Sequence, residues 1–192
     1  MPKSVDHQAK RDEVVAVATR LIAERGIDAA TVRVIAAESG ASTKVVSTHF
    51  SDKRELLLLV YRAAAMRARA RLDAARLAPE EGVLACAEAL LPLDRARRHD
   101  WALWLAFWGM AVSDSQFSAE QRQRLRSTRT TLHAVIEAAT VAGELTAGTD
   151  AEALAGELLT TIHGIAVQAV FDPRAWPAER QRSMIRSRLP QR

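Results

Sequence analysis

Apolar residues along this chain recur every three to four positions and nowhere convincingly every two, so it folds by packing helices together. Capping and breaking residues set their number. Val14, Val15, Ala18, Leu21 and Ile22 share one face of a first helix, which Gly26 ends. Thr31 caps a second helix with Val32, Ile35 and Ala36 inward, and Gly40 stops it after about two turns. Ser42 or Thr43 caps a third short helix with Val46 and Phe50 inward. Ser51 and Asp52 open a long helix over 53–76. Pro79 and Glu80–Glu81 start a fifth, reaching Leu91. Asp94 opens a sixth, to Val112, which carries Trp101, Trp104, Phe107 and Trp108. Ser118 caps a seventh that ends near Gly143. An eighth runs from Ala151 to Val170, and Pro177 sits in the first turn of a ninth reaching Arg188. The fold class is all-α, with about nine helices.

At 192 residues the chain suits one domain, or a small domain fused to a larger one. The single cysteine, Cys86, excludes an internal disulfide framework. No uninterrupted apolar run has the length of a membrane span, and the polar N-terminus lacks a signal-peptide core, so a cytoplasmic setting is expected. Lys and Arg number 27 against 23 Asp and Glu, a mild positive bias that permits a nucleic-acid partner without requiring one. The lysines (Lys3, Lys10, Lys44 and Lys53) all lie near the N-terminus, but carboxylates there nearly balance them. Enzyme chemistry has no footing in the sequence. There is no nucleophile elbow, glycine-rich phosphate loop or metalloprotease motif, and the five histidines (His7, His49, His99, His133 and His163) are scattered. No catalytic residue, metal or cofactor is expected.

Three short helices with a glycine in the second turn form a helix-turn-helix arrangement. The tight turn needs a residue free of a Cβ, supplied by Gly40, and the helix crossing needs a small residue, supplied by Ala36. The reading helix must be short, polar outward and begin with groups that can face phosphate. Ser42, Thr43, Lys44, Ser47 and Thr48 face outward in this reading.

These residues resemble the TetR family of transcription regulators. The likeness runs from Arg11 to Leu57 and is carried by Ala18, Leu21, Gly26, Thr31, Val32, Ile35, Ala36, Gly40, Ser42, His49, Phe50, Lys53, Leu56 and Leu57. It implies phosphate contacts from Thr31, Ser47, His49 and Lys53, and base-edge contacts from Arg33, Thr43, Lys44 and Val45. Ser47 stands where the family usually has tyrosine, and Lys44 where it often has a small residue, so the operator sequence stays open. The resemblance also implies a helix-turn-helix domain over 1–52 and a ligand-binding and dimerisation domain over 53–192. It further implies a homodimer on a near-palindromic double-stranded DNA operator, released by an unidentified small-molecule inducer, with helix 53–76 as the lever. A helical protein-interaction module without sequence-specific DNA binding is the alternative.

The segment from Asp100 to Asp114 resembles the C-terminal domain of the choline-responsive BetI-type branch. The aromatic stripe Trp101, Trp104, Phe107 and Trp108 is either core or one wall of an apolar cavity, with His133, Thr161, His163 and Gln168 as its polar groups. Aromatic faces suit a choline-like cation, but no acidic partner is placed for one. Leu154, Leu158, Ile162, Ile165, Met184 and Ile185 are assigned to a four-helix dimer interface by the same resemblance. The arginine runs Arg62–Arg71 and Arg95–Arg98 read as solvated faces.

Overall fold

The computed structural model describes residues 3–50, 52–77 and 82–190, with side chains from Gln8 onward. Its helices are α1 (Lys3–Arg25), α2 (Val32–Glu38), α3 (Thr43–His49), α4 (Lys53–Arg76), α5 (Gly82–Leu90), α6 (Arg95–Ala111), α7 (Ser115–Val141), α8 (Ala151–Phe171) and α9 (Ala178–Arg186), with a 3-10 turn at Ile27–Ala29. No strand occurs among the described residues.

Side-chain caps start most of these helices. Thr31, Ser42, Asp52, Asp94 and Asp150 each accept a hydrogen bond from the backbone N–H three residues on. The seventh helix departs from expectation. Asp114 rather than Ser118 is its cap, accepting from the N–H groups of Gln116 (2.9 Å) and Phe117 (3.1 Å). The extra turn is what carries Phe117 into the core. Pro177 precedes the first turn of α9 instead of lying within it. The expected start of the fifth helix at Pro79–Glu81 lies outside the described residues.

Ala18, Leu21, Ile35, Ala36, Val46 and Phe50 close a small core between α1, α2 and α3. The turn between α2 and α3 is a Schellman motif: Ala41 N–H reaches Ala36 C=O (3.0 Å), Gly40 N–H reaches Ala37 C=O (3.4 Å), and Gly40 has φ +62°. α4 leaves this head, packs on α1 and α6, and runs along α5. In the body, α6 and α7 both pack on α8, whose Leu158, Ile162 and Ala166 are fully buried. α8 is long and apolar enough to span a membrane by length and composition alone; here one side of it fills the protein core.

Candidate DNA-binding head and effector cavity

The Ser42 cap fixes the start of α3, and burial of Val46 fixes its rotation. Thr43, Lys44, Ser47 and Thr48 therefore face solvent, with Val45 half-buried between them. The Thr48 hydroxyl bonds back to the Lys44 carbonyl at 2.8 Å. Thr31, Arg33, Ser42 and Lys53 are exposed, at the starts of α2, α3 and α4. His49 is half-buried, its ring 6.4 Å from Phe50.

Ion pairing sorts the head's cations into two sets. Arg11 pairs with Glu55 (2.9 Å) and lies over the Phe50 ring; Arg20 (2.5 Å) and Arg25 (3.2 Å) share Glu38; Lys10 holds Glu13 (2.6 Å). Arg33, Lys44 and Lys53 form no ion pair among the described residues, which leaves their charge for a phosphate or a base edge. The head's overall balance of charge hides this division.

In the body, the four aromatics expected at a cavity split. Trp101, Trp104 and Phe107 are buried and Trp108 is half-buried. Trp101 stands edge-on to Trp104 (5.0 Å) and Trp108 (6.0 Å), and donates its indole N–H to the Leu90 carbonyl at 2.9 Å. Phe107 packs against Tyr61 and Phe117. His163 is the one expected polar group that reaches this cluster, its ring 5.5 Å from Trp101 and 5.4 Å from Trp108. Burial, with the Arg124 charge acting in the same direction, lowers its pKa to about 4, so it is neutral at pH 7. His133 instead faces Glu137 at 3.5 Å, and Gln168 is exposed on α8.

A body cavity of about 410 Å³ opens between α4 and α7. Tyr61, Ala65, Leu72, Leu90, Arg124 and Thr128 are among its walls, and none of the expected pocket residues lines it. Arg62 to Glu120, and Arg69 to Ser127 (3.2 Å) and Thr131 (3.3 Å), tie α4 to α7 around it. Behind it lies a void of about 10 Å³ that shares Leu90, Arg124 and Thr128 and adds Trp101, Ile162 and His163; Thr161 lines neither. Arg124 thus stands between the open cavity and the aromatic cluster. The sequence carried a trace of this. Phe117, Gln121, Arg124, Thr128 and Thr131 recur at helical spacing on α7, but the polar ones read as an outward face.

Two further expectations are corrected. Arg67 and Arg71 are more than a solvated face: Arg67 is exposed and Arg71 half-buried, yet both hold Asp100, a buried carboxylate on α6, at 2.5 and 3.2 Å. Leu154, Leu158, Ile162, Ile165 and Ile185 are buried within the protomer, and Met184 is half-buried against the same core, so the five buried side chains have no surface to offer a second chain. The exposed stripe of α8 is Ala153, Glu157, Thr160, Gly164 and Gln168, continued by Phe171 at 80% exposure.

Comparisons with known proteins agree with this geometry. Residues 14–60 match the bacterial regulatory proteins of the tetR family, and residues 79–191 match the C-terminal domain of the BetI-type transcriptional repressors. The HTH-type transcriptional regulator PksA of Bacillus subtilis is 27% identical, across 90% of this chain and 84% of its own length. BetI of Vibrio campbellii is 25% identical across 98% and 94%. A transcriptional regulator from Rhodococcus sp. Rha1 superposes with a TM-score of 0.82 at 29% identity, covering 93% of this chain and 92% of its own. A regulator from Saccharomonospora viridis, solved in complex with choline, superposes at 0.86 with 24% identity over 94% and 95%. The chain belongs to the tetR family with a BetI-type C-terminal domain, and is a ligand-responsive, DNA-binding transcriptional regulator.

Proposed function

We propose that the chain is a cytoplasmic, nucleoid-associated repressor without enzymatic activity, acting as a homodimer on a near-palindromic operator. In this reading residues 1–52 are the reading head and 53–192 the effector and dimerisation body. The observation that carries it is the exposed rim of α3, with Lys44, Arg33 and Lys53 in no ion pair among the described residues while neighbouring cations are tied to carboxylates. Lys44 and Arg33 suit guanine O6 and N7, Val45 suits a thymine methyl, and Thr43 suits a base edge. Thr31, Ser42, Ser47, Thr48, His49 and Lys53 position the head on phosphates.

A second copy gives two reading helices at the spacing of successive major grooves, about 34–36 Å. The exposed stripe of α8 is the face we assign to that contact. Its small residues, Ala153, Thr160 and Gly164, allow two helices to approach closely, and Phe171 supplies apolar area. Effector control runs through α4. Its first turn carries Lys53, and Tyr61, Ala65 and Leu72 further along it wall the cavity. Arg54 also ties α4 to the α7 cap Asp114 at 2.6 Å. A ligand that spreads α4 from α7 turns the head, and acts only through its different affinity for the two arrangements.

The test is selection of duplexes from a random-sequence pool by the purified protein, with Thr43→Ala/Lys44→Ala as control. An enriched near-palindrome that the control fails to enrich supports the reading. A folded protein that enriches nothing at low salt refutes it and returns the chain to the protein-interaction module.

A further inference from the structure

Arg124 is the least ordinary side chain in the body. Its guanidinium carbon lies 3.6 Å from the centre of the Trp104 ring, on the face a quaternary ammonium would need. The residue as a whole reaches the surface, but its Nη1 is sealed from solvent and has no hydrogen-bond partner. It bonds to the Tyr61 hydroxyl, which in turn donates to Gln121. No carboxylate pairs with it among the described residues. Glu120, at the cavity, is taken by Arg62, and Asp100 by Arg67 and Arg71. A buried guanidinium without a counter-ion is costly, and the desolvation shows as a lowered pKa.

The remaining unmet polar groups here are of the same kind. Trp104 and Trp108 each bury an indole N–H with no acceptor. The cavity itself is lined by three arginines (Arg62, Arg69 and Arg124) against one glutamate, with apolar walls from Ala65, Leu72 and Leu90. Arg62 and Arg69 are paired with Glu120 and Asp73, so the uncompensated charge at this site is that of Arg124, beside the unmet indole donors.

We propose that the effector is an apolar small molecule with one anionic head, a carboxylate foremost, that docks on the Arg124 guanidinium. This rests on reading the α4–α7 cavity as the effector site. The head group supplies the counter-ion that Arg124 lacks, through a charge-assisted bond to the guanidinium where it lines the cavity. The tail lies along Ala65, Leu72 and Leu90. Choline-like cations are disfavoured twice: the Trp104 face is occupied, and its occupant carries a like charge.

The experiment uses two fluorescent probes that differ by one group, 8-anilinonaphthalene-1-sulfonate and neutral N-phenyl-1-naphthylamine, titrated into the full chain. The sulfonate should bind at least tenfold more tightly. Arg124→Gln should erase that preference while leaving the neutral probe's affinity within about twofold, and Arg124→Lys should keep part of it. Equal binding of both probes to the wild type, binding of neither, or a preference that survives Arg124→Gln overturns the proposal. The wild-type comparison decides alone should the glutamine variant fail to fold. Duplex selection on the same preparation separates the two claims. A protein that selects an operator but prefers the neutral probe keeps the regulator and loses the anion site. One that prefers the sulfonate through Arg124 but selects no duplex does the reverse.

Discussion

Replacing Asp100 with asparagine should loosen the joint between α4 and α6. The carboxylate is 4% exposed and accepts from Arg67 Nε (3.1 Å), Arg67 Nη2 (2.5 Å) and Arg71 Nη1 (3.2 Å). Asparagine keeps the volume and one acceptor but leaves two guanidinium groups facing each other, with Arg124 nearby. Losing one partner of a fully buried pair costs about 3–5 kcal/mol. Here the Arg67 and Arg71 side chains are 45% and 25% exposed, so both can turn toward water. The cost should therefore fall between the buried and the surface limits, at about 2–3 kcal/mol. For a chain of this size that is a drop in melting temperature of roughly 5–10 °C. Thermal unfolding followed by circular dichroism measures it. Adding Arg67→Gln to Asp100→Asn should cost less than the sum of the two single changes, because the same contact is removed twice. An Asp100→Asn protein that melts within 2 °C of wild type (under about 1 kcal/mol) would refute the buried-joint reasoning.

Three further outcomes are expected. The native His163 pKa of about 4 lies below the ordinary value of 6.5, so the unfolded chain binds a proton in that window that the native protein does not. His163 thus stabilises the fold above pH 6.5, and that contribution, at most about 3 kcal/mol, is lost as pH falls from 6.5 to 4. Urea midpoints at pH 7.5 and 4.5 should differ less in His163→Phe than in wild type. Gly40→Ala meets no atom within 4 Å, so its cost is the left-handed backbone alone, about 1 kcal/mol by urea denaturation. Phe107→Ala, which removes a ring 1% exposed between Tyr61 and Phe117, should cost about 3–5 kcal/mol in the same assay.

The head was legible because its signals are local. Thr31, Gly40 and Ser42 act within one or two turns, and the Val46–Phe50 spacing sets the outward face of α3 without help from distant residues. The body was less legible because its site depends on which faces meet. α8 is apolar nearly all round, so the sequence indicated a buried helix but not that Leu158 and Ile162 face inward while Thr160 and Gly164 face out. Of the aromatic stripe of α6, Trp101, Trp104 and Phe107 are buried and Trp108 is half-buried. Arg124 sits in a polar stretch with the look of a solvated surface, and only the packing of α7 against α6 turns it onto Trp104.

In the proposed function, α3 reads base sequence. Fluorescence anisotropy should compare the selected duplex with a scrambled one of equal length at fixed salt. The wild-type protein should bind the selected duplex about 10³-fold or more tightly. Thr43→Ala/Lys44→Ala should lose at least tenfold of that ratio while binding the scrambled duplex nearly as before. A ratio near one for the folded wild type, or a double variant that keeps the full ratio, would contradict the account.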